Sequence, residues 1–240
     1  MKKQGKIIGY WHYGVVLTYI SVIAAIVGMC FSAVQHTWIA VICLLVSGVC
    51  DAFDGTVART RKNRTAEECM FGEQIDSLSD LIAFGVAPAM IGYGMGMDRW
   101  YYIPVFVIFI LCALIRLAYF NVTEEMRRNS EQLGGGVRKE YEGLPVTAVA
   151  IAYPIFWMVA SFFWHSEKLY FVSGLIMAFA LLLIAVLFVL RFRVPKLKPR
   201  GILVAITIVA VLLAVLLTVK GLVFHQLKPP HPSDIPIFKK

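Results

Sequence analysis

Long apolar runs, each about the length needed to cross a lipid bilayer, recur along the chain and restrict it to a membrane fold. Spanning the hydrocarbon core takes about 20 apolar residues, and backbone groups in lipid must bond within their own segment, which favours helices. With 240 residues, 59% hydrophobic and 16% charged, the chain also has too little polar surface for a soluble domain. We therefore predict an all-α, polytopic transmembrane helix bundle. Its seven spans are expected near Gly14–Ala33, Trp38–Ala58, Gly72–Met95, Tyr101–Phe120, Leu144–Trp164, Leu169–Leu190 and Gly201–Phe224.

The sequence divides into a short leading segment, one membrane domain and a tail. Residues 1–13 carry Tyr10, Trp11 and Tyr13, which predict an interfacial segment with an aromatic anchor. The first apolar run lacks a small-residue cleavage site, so we interpret it as a retained span. Residues 14–224 form the predicted membrane domain, and the proline-rich residues 225–240 predict a flexible tail.

The net charge of +8 is unevenly distributed between alternate connectors. Basic residues are concentrated before the first run, in Thr60–Phe71, in Val122–Gly143 and after the sixth run, whereas the short opposite loops contain Arg99 and Lys168. This asymmetry predicts an integral protein of the cell membrane with its N-terminus in the cytoplasm. A basic inner face should attract anionic lipid headgroups and phosphorylated substrates, and it does not indicate nucleic acid.

Neither the five cysteines nor the five histidines form a recognisable site. The cysteines fall in predicted spans or on the cytoplasmic side and form no CxxC pair, so neither disulfides nor zinc is indicated. The histidines are scattered without ligand spacing. No side chain is therefore placed to form a covalent intermediate.

Four aspartates interrupt the second and third apolar runs. The purely apolar part of the second run, Trp38–Cys50, is too short to cross a bilayer, so its helix should continue through the aspartates to about Arg59. An acid near the membrane centre costs about 2.5–3.5 kcal/mol and needs a partner or a cavity. These acids therefore indicate a functional site.

The spacing of the aspartates places them at matching depths on two antiparallel helices. Asp51 and Asp80 each lie eight residues from the predicted inner end of their helix, whereas Asp54 and Asp76 lie five and four residues from it. A helix rises about 1.5 Å per residue, so each pair should lie at one level. Spacings of i, i+3 and i, i+4 also keep the two acids of each helix on one face. The four carboxylates should converge on one cavity.

Clustered carboxylates repel one another unless cations lie among them. Oxygen-only ligands favour Mg²⁺, Mn²⁺ or Ca²⁺, and two such ions would neutralise a diphosphate and stabilise its leaving group. Gly55 and Ala58 remove side-chain bulk, so that a nucleotide could approach the backbone, and Arg59 suits a phosphate. The alternative is that the acids pair with Arg59 and Arg61 at a helix end.

This segment resembles the CDP-alcohol phosphatidyltransferase family, whose pattern is D-x-x-D-G-x-x-A-R, a connector, and G-x-x-x-D-x-x-x-D. The fixed positions are matched by Asp51, Asp54, Gly55, Ala58, Arg59, Gly72, Asp76 and Asp80. The connector Thr60–Phe71 is four residues longer than is usual in the family. Within it, the family often places a small hydroxyl residue near the nucleotide; Thr65 is a candidate for it, whereas Cys69 occupies the position counted back from Gly72.

The resemblance implies a six-helix core, here with an extra C-terminal span, in a homodimer. It also implies transfer of a phosphatidyl group from CDP-diacylglycerol to an alcohol, with release of CMP. Asp51, Asp54, Asp76 and Asp80 would hold two divalent ions, Mg²⁺ or Mn²⁺, for which Ca²⁺ could substitute, and Asp80 would be the general base. The nucleotide lipid would be bound by Gly55, Ala58, Arg59, Thr65 and Gly72.

Three further segments, Phe71–Ala89, Leu114–Val122 and Tyr141–Pro145, resemble the members of the family that use L-serine, the phosphatidylserine synthases. L-serine is therefore the favoured acceptor. Arg116 could bind its carboxylate and Glu142 its ammonium group, and Asn121 is a third candidate. Arg116 could equally neutralise the aspartates or extend to the membrane interface.

Two alternative functions remain open on the sequence. A related transferase could use glycerol 3-phosphate or inositol, although a phosphorylated acceptor would need more basic residues than Arg116. A cation-coupled membrane transporter could use the acids as an ion site. Transporters often show repeated halves and midplane sites, whereas here no repeat is apparent and the acids cluster towards one face.

Overall fold

The computed structural model describes residues 9–10, 13–61, 64–132, 140–164, 167–195 and 199–223. The helices are α1 (Val16–Ala33), α2 (Thr37–Arg59), α3 (Ala66–Asp80), α4 (Ala87–Gly94), α5 (Ile103–Gln132), α6 (Val149–Ser161), α7 (Glu167–Val189) and α8 (Pro199–Val223), with a π-helical segment (Leu81–Val86) between α3 and α4. Two short strands, β1 (Glu140–Glu142) and β2 (Arg193–Pro195), pair antiparallel with Tyr141 opposite Val194. The predicted all-α class is confirmed, and this small ribbon is an addition to it.

Five helical segments of the described chain are long and apolar enough to cross a membrane. They are Tyr13–Ala33, Thr37–Arg59, Ala66–Gly94, Trp100–Arg127 and Leu169–Val189. Two shorter apolar helices, Val146–Ser161 and Leu203–Thr218, coincide with the fifth and seventh predicted spans. The chain is therefore an integral membrane protein, and its predicted polytopic bundle is confirmed.

Two predicted boundaries were wrong. The fourth span was expected to end at Phe120, but α5 continues to Gln132, into the predicted polar connector. The third was expected to begin at Gly72, but α3 begins at Ala66. The reason is a capping box: the Thr65 hydroxyl accepts a hydrogen bond from the Glu68 N–H at 3.1 Å, and the Glu68 carboxylate accepts one from the Thr65 N–H at 3.0 Å. The second half of the predicted connector is therefore helical.

The π-helical segment lies between Asp80 and Pro88. Proline has no N–H, and its ring clashes with the carbonyl group four residues earlier, here that of Phe84, so that a regular α-helix cannot continue unchanged. The Ala87 N–H instead bonds to the carbonyl of Ile82, five residues earlier. Phe84 is fully buried in this segment, and the Tyr153 hydroxyl donates to the Pro88 carbonyl at 2.7 Å.

Small and polar residues bring α1 and α2 close together. A Cβ atom added to Gly28 would lie 2.9 Å from the Cβ of Cys43. The Ser47 hydroxyl donates to the Ser21 carbonyl at 2.9 Å, and the Ser21 hydroxyl donates to the Ser47 carbonyl at 3.5 Å. Close approach of this kind is the usual basis of helix association in lipid. It fixes α1 against the helix that carries Asp51 and Asp54.

Gly48 and Gly85 allow helices of the chain to pack closely against one another. A Cβ atom on Gly48 would lie 2.5 Å from the Cβ of Ala150 on α6, and one on Gly85 would lie 3.4 Å from the Cβ of Ala113 on α5. These glycines therefore serve intrachain packing. The homodimer stays a prediction.

The described part of the leading segment contacts the connection between α2 and α3. The Tyr10 hydroxyl donates to Oε2 of Glu67 at 2.8 Å, and its ring centroid lies 5.5 Å from that of Phe71. This carboxylate contact raises the pKa of Tyr10. The hydroxyls of Tyr13 and Thr60 lie 3.3 Å apart. The remainder of residues 1–13, including Trp11, and the predicted tail 225–240 lie outside the described residues.

Candidate active site

The four aspartates lie where α2 and α3 face each other. The carboxyl groups of Asp51 and Asp80 are within hydrogen-bonding reach of each other, and so are those of Asp54 and Asp76. These are the two pairs that the spacing along the helices predicts. The structure therefore brings the four aspartates together in these two pairs, and their role as metal ligands stays a prediction.

Three of the carboxylates could share a metal ion. One oxygen atom from each of Asp51, Asp76 and Asp80 lies within 4.8 Å of the other two. A set of ligands consisting of oxygen atoms suits a hard divalent cation, and carboxylates this close would otherwise repel one another. The side chains present therefore fit a divalent metal.

Asp54 differs from the other three because protein donors surround it. It is 8% exposed, and its carboxylate accepts hydrogen bonds from the Gly55 N–H and, at 3.4 Å, from the Thr18 hydroxyl. Charge-assisted bonds of this kind hold a carboxylate in one orientation. Asp54 is thereby held beside Asp76.

Helix α1 contributes contacts to the site that sequence analysis missed. The hydroxyl of Thr18 reaches Asp54 on α2, while the carbonyl group of Thr18 accepts a hydrogen bond from the Ser79 hydroxyl at 3.2 Å. Ser79 precedes Asp80 and is 3% exposed. The available signal in the sequence was Thr18, a polar residue within an apolar helix. The sequence alone did not indicate that it contacts Asp54 and Ser79.

The predicted nucleotide-binding positions lie at the same end of α2 and α3. A Cβ atom on Gly55 would lie 3.7 Å from Nη2 of Arg59. One on Gly72 would lie 3.1 Å from Nη2 of Arg64, a residue that was not among the predicted site residues. Nη1 of Arg64 donates to the carbonyl of Ala58 at 3.4 Å. Thr65 stands at the start of α3, where its hydroxyl caps the helix.

Two of the predicted acceptor-binding residues lie on α5. Arg116 is 5% exposed, and its guanidinium donates to the carbonyls of Leu144 at 2.7 Å and Gly143 at 3.4 Å. Asn121 and Ser77 hydrogen-bond reciprocally: Nδ2 donates to the serine hydroxyl at 2.9 Å, and the hydroxyl donates to Oδ1 at 3.0 Å. Asn121 is thus linked to the residue after Asp76.

The third predicted acceptor residue, Glu142, lies in β1 opposite Arg193 in β2. Its side chain lies outside the described part of the chain. The backbone of the neighbouring Gly143 has a φ of +79°, which favours glycine, and it donates from its N–H to the Phe192 carbonyl at 2.7 Å. The chain thereby turns at Gly143, directly after β1, and the carbonyls of Gly143 and Leu144 accept hydrogen bonds from Arg116.

A CDP-alcohol phosphatidyltransferase family model matches residues 11–227. The chain is 41% identical over 104 residues to the CDP-diacylglycerol–serine O-phosphatidyltransferase of Saccharomyces cerevisiae, covering 42% of this chain and 35% of the relative. It is 33% identical over 163 residues to the archaetidylserine synthase of Methanothermobacter thermautotrophicus, covering 68% and 60%. It is 32% identical over 175 residues to the CDP-diacylglycerol–serine O-phosphatidyltransferase of Helicobacter pylori, covering 70% and 63%.

These alignments span from about a third to just under two thirds of the length of those relatives. The family model, in contrast, matches nearly the whole of this chain and includes all four aspartates. The pairing of Asp51 with Asp80 and of Asp54 with Asp76 brings together the four aspartates of the motif that carries the sequence resemblance. The chain belongs to the CDP-alcohol phosphatidyltransferase family.

Proposed function

We propose that this chain transfers a phosphatidyl group from CDP-diacylglycerol to L-serine, giving phosphatidylserine and CMP. The observation that carries the proposal is the group of three carboxylate oxygens, from Asp51, Asp76 and Asp80, within 4.8 Å of one another inside a membrane bundle. Family membership adds the reaction type, and the names of the relatives add the acceptor.

The four aspartates would hold two divalent ions, Mg²⁺ or Mn²⁺. Such ions supply charge neutralisation of the diphosphate and polarise its phosphoryl oxygen. Asp54 is held in place by the hydrogen bonds from Gly55 and Thr18, so its orientation does not depend on the substrate. Arg59, Gly55, Ala58, Thr65 and Gly72 would bind the CDP part of the lipid.

Asp80 would act as the general base on the acceptor hydroxyl. It lies on α3 at the depth of Asp51, in the same group of oxygens, so a serine hydroxyl beside the diphosphate would be within its reach. The proton of that hydroxyl passes to Asp80 as the serine oxygen forms its bond to phosphorus. The bond from phosphorus to the CMP oxygen breaks, and CMP leaves with that electron pair. Direct in-line attack inverts the configuration at phosphorus.

The serine acceptor is supported by relatives whose names include serine, in yeast, bacterial and archaeal proteins. We assign Arg116 to the serine carboxylate and Asn121 and Glu142 to the remaining polar contacts. Asn121 is bonded to Ser77, next to Asp76, so an acceptor bound there would be near the carboxylates. Glycerol 3-phosphate and inositol are the acceptors to compare.

The site would open to the cytoplasm, where the basic connectors are expected, and the enzyme would act as a homodimer in the cell membrane. Arg59, Arg61 and Arg64 lie at the end of α2 and α3 that carries the aspartates. A basic surface at that end would attract the charged nucleotide lipid and anionic headgroups.

The direct test is CMP release by the purified full chain in detergent micelles containing CDP-diacylglycerol, with serine, glycerol 3-phosphate or inositol supplied separately. We expect release with serine and Mg²⁺ or Mn²⁺, loss of release with excess EDTA, and phosphatidylserine as the product by mass spectrometry. CMP release with another alcohol, and not with serine, would mean that this alcohol is the acceptor. Cation transport by reconstituted protein, without CMP release, would support the transporter instead.

A further inference from the structure

In the described chain, the connection between α2 and α3 contains two arginines, Arg61 and Arg64, which differ in their ion pairing. Nη2 of Arg61 forms an ion pair with Glu68 at 3.0 Å. Arg64, in contrast, forms no ion pair with any described carboxylate. Its Nε is buried and has no hydrogen-bond partner among the described residues; Nη1 of Arg61 is in the same condition, so the ion pair with Glu68 is what distinguishes the two arginines. A partly buried cation with an unsatisfied donor requires an explanation, because such groups normally find an acceptor.

The position of Arg64 suggests which acceptor it takes. Its guanidinium lies between Ala58 near the end of α2 and Gly72 on α3: Nη1 donates to the Ala58 carbonyl at 3.4 Å, and Nη2 is 3.1 Å from where a Gly72 side chain would begin. Both residues are small positions of the sequence motif. The nucleotide is expected in the space that these two residues leave, and the Arg64 guanidinium lies beside both of them.

We propose that Arg64 binds a phosphate oxygen of the nucleotide half of the CDP-linked lipid, as an additional nucleotide-binding residue in the connection between α2 and α3. This inference rests on the proposed function. A guanidinium group is planar, permanently charged and suited to phosphate, and the unpaired positive charge favours an anionic group over the neutral pyrimidine. The position of Arg64 also gives a reason for glycine at position 72, because a larger residue there would displace the guanidinium group.

The test is calorimetric titration of the full chain in micelles, with Mg²⁺ present, using CMP and cytidine as separate ligands. Arg64→Gln keeps an N–H donor for the Ala58 carbonyl but removes the charge. We expect it to weaken CMP binding about 10- to 100-fold and to leave cytidine binding unchanged, because cytidine lacks the phosphate. Unchanged CMP affinity, or equal loss for both ligands, overturns the proposal.

Arg127→Gln is the matched control. Arg127 belongs to α5 and not to the connection between α2 and α3, it pairs with Glu124, and its loss changes the net charge by the same amount. CMP affinity should be unchanged in this variant. An equal weakening in Arg127→Gln would mean that overall charge, and not Arg64, attracts the nucleotide, which overturns the proposal.

Arg64→Lys provides a second variant if Arg64→Gln does not fold. Lysine keeps the charge but has a single nitrogen to divide between phosphate and the Ala58 carbonyl, so CMP affinity should fall about two- to tenfold while cytidine affinity stays the same. No change, or an equal loss for both ligands, counts against Arg64. If the wild-type chain releases no CMP with any alcohol, the proposed function fails; if it does, and the variants bind CMP normally, Arg64 alone was misassigned.

Discussion

The hydroxyl of Thr18 on α1 donates a hydrogen bond to Oδ2 of Asp54 on α2, across 3.4 Å. The carbonyl of the same residue accepts a bond from Ser79, which precedes Asp80 on α3. One residue of α1 therefore contacts both helices that carry the aspartates. Although α1 provides none of the four carboxylates, it contacts one of them directly and the residue beside another.

Thr18→Val should lower the rate of CMP release about three- to tenfold and raise the Mg²⁺ concentration needed for half-maximal rate. The substitution keeps the shape of the side chain but removes the bond to Asp54, and hydrogen bonds to charged groups contribute about 1.5–3 kcal/mol, less when long. Thr18→Ser retains the hydroxyl and should restore most of the rate. A normal Mg²⁺ dependence in Thr18→Val would show that Asp54 does not need this contact.

Asp80→Asn should reduce CMP release about 100- to 10,000-fold, the usual range for removing a general base. Asp76→Asn should be similarly inactive, because it removes one of the three oxygens that lie within 4.8 Å. The initial rate with CDP-diacylglycerol and serine is the measurement. Glu124→Gln, whose carboxylate pairs with Arg127, is the matched control and should retain the wild-type rate. Full activity in the two aspartate variants would contradict the site.

Arg116→Lys should raise the KM for serine about tenfold and leave CMP affinity unchanged, if Arg116 holds the serine carboxylate. Lysine preserves a charged donor for the carbonyls of Leu144 and Gly143, which arginine now satisfies, so the fold should survive. Steady-state kinetics with serine varied are compared with the unfolding temperature. A lower unfolding temperature with an unchanged KM would assign Arg116 to structure alone.

Gly48→Ala should destabilise the chain by about 1–3 kcal/mol, because the new Cβ atom would lie 2.5 Å from that of Ala150 and α2 and α6 would have to separate. Thermal unfolding in micelles is the measurement. Gly201→Ala is the matched control: among the described residues, no atom beyond its chain neighbours and its own helix backbone lies within 4 Å of its added Cβ, and its unfolding temperature should not fall. A change of oligomer mass at an unchanged unfolding temperature would instead place Gly48 in an interface between copies.

The pairing of the aspartates could be predicted because it depends on local geometry. The rise and period of a helix, with two antiparallel spans, were sufficient to match Asp51 with Asp80 and Asp54 with Asp76. The start of α3 at Ala66 could also have been predicted from the sequence, since Thr65 and Glu68 have the spacing of a capping box. That boundary was wrong because hydropathy was given more weight than the cap.

Other parts of the site depend on contacts distant in the sequence. Thr18 meets Asp54 because α1 has a particular rotation against α2, set by packing at Gly28 and Ser47, and no spacing within either helix reveals this. The path of the Arg64 side chain back towards Ala58 is likewise a tertiary feature. The sequence did not decide whether Arg116 is buried or extends to the membrane interface. In the structure Arg116 is 5% exposed and hydrogen-bonded to carbonyl groups, which excludes extension to the interface.

The π-helical segment Leu81–Val86 restricts which insertions and deletions the gene for this protein can tolerate. Inserting one further codon there would add a residue to the helix between Asp80 and Pro88. It would also rotate everything upstream by about 100° relative to α4, the angle that one residue adds in an α-helix. Asp76 and Asp80 would then turn away from α2 while α4 kept its packing. Length variation among descendants of this sequence should therefore avoid these six residues and accumulate in the connection before α3.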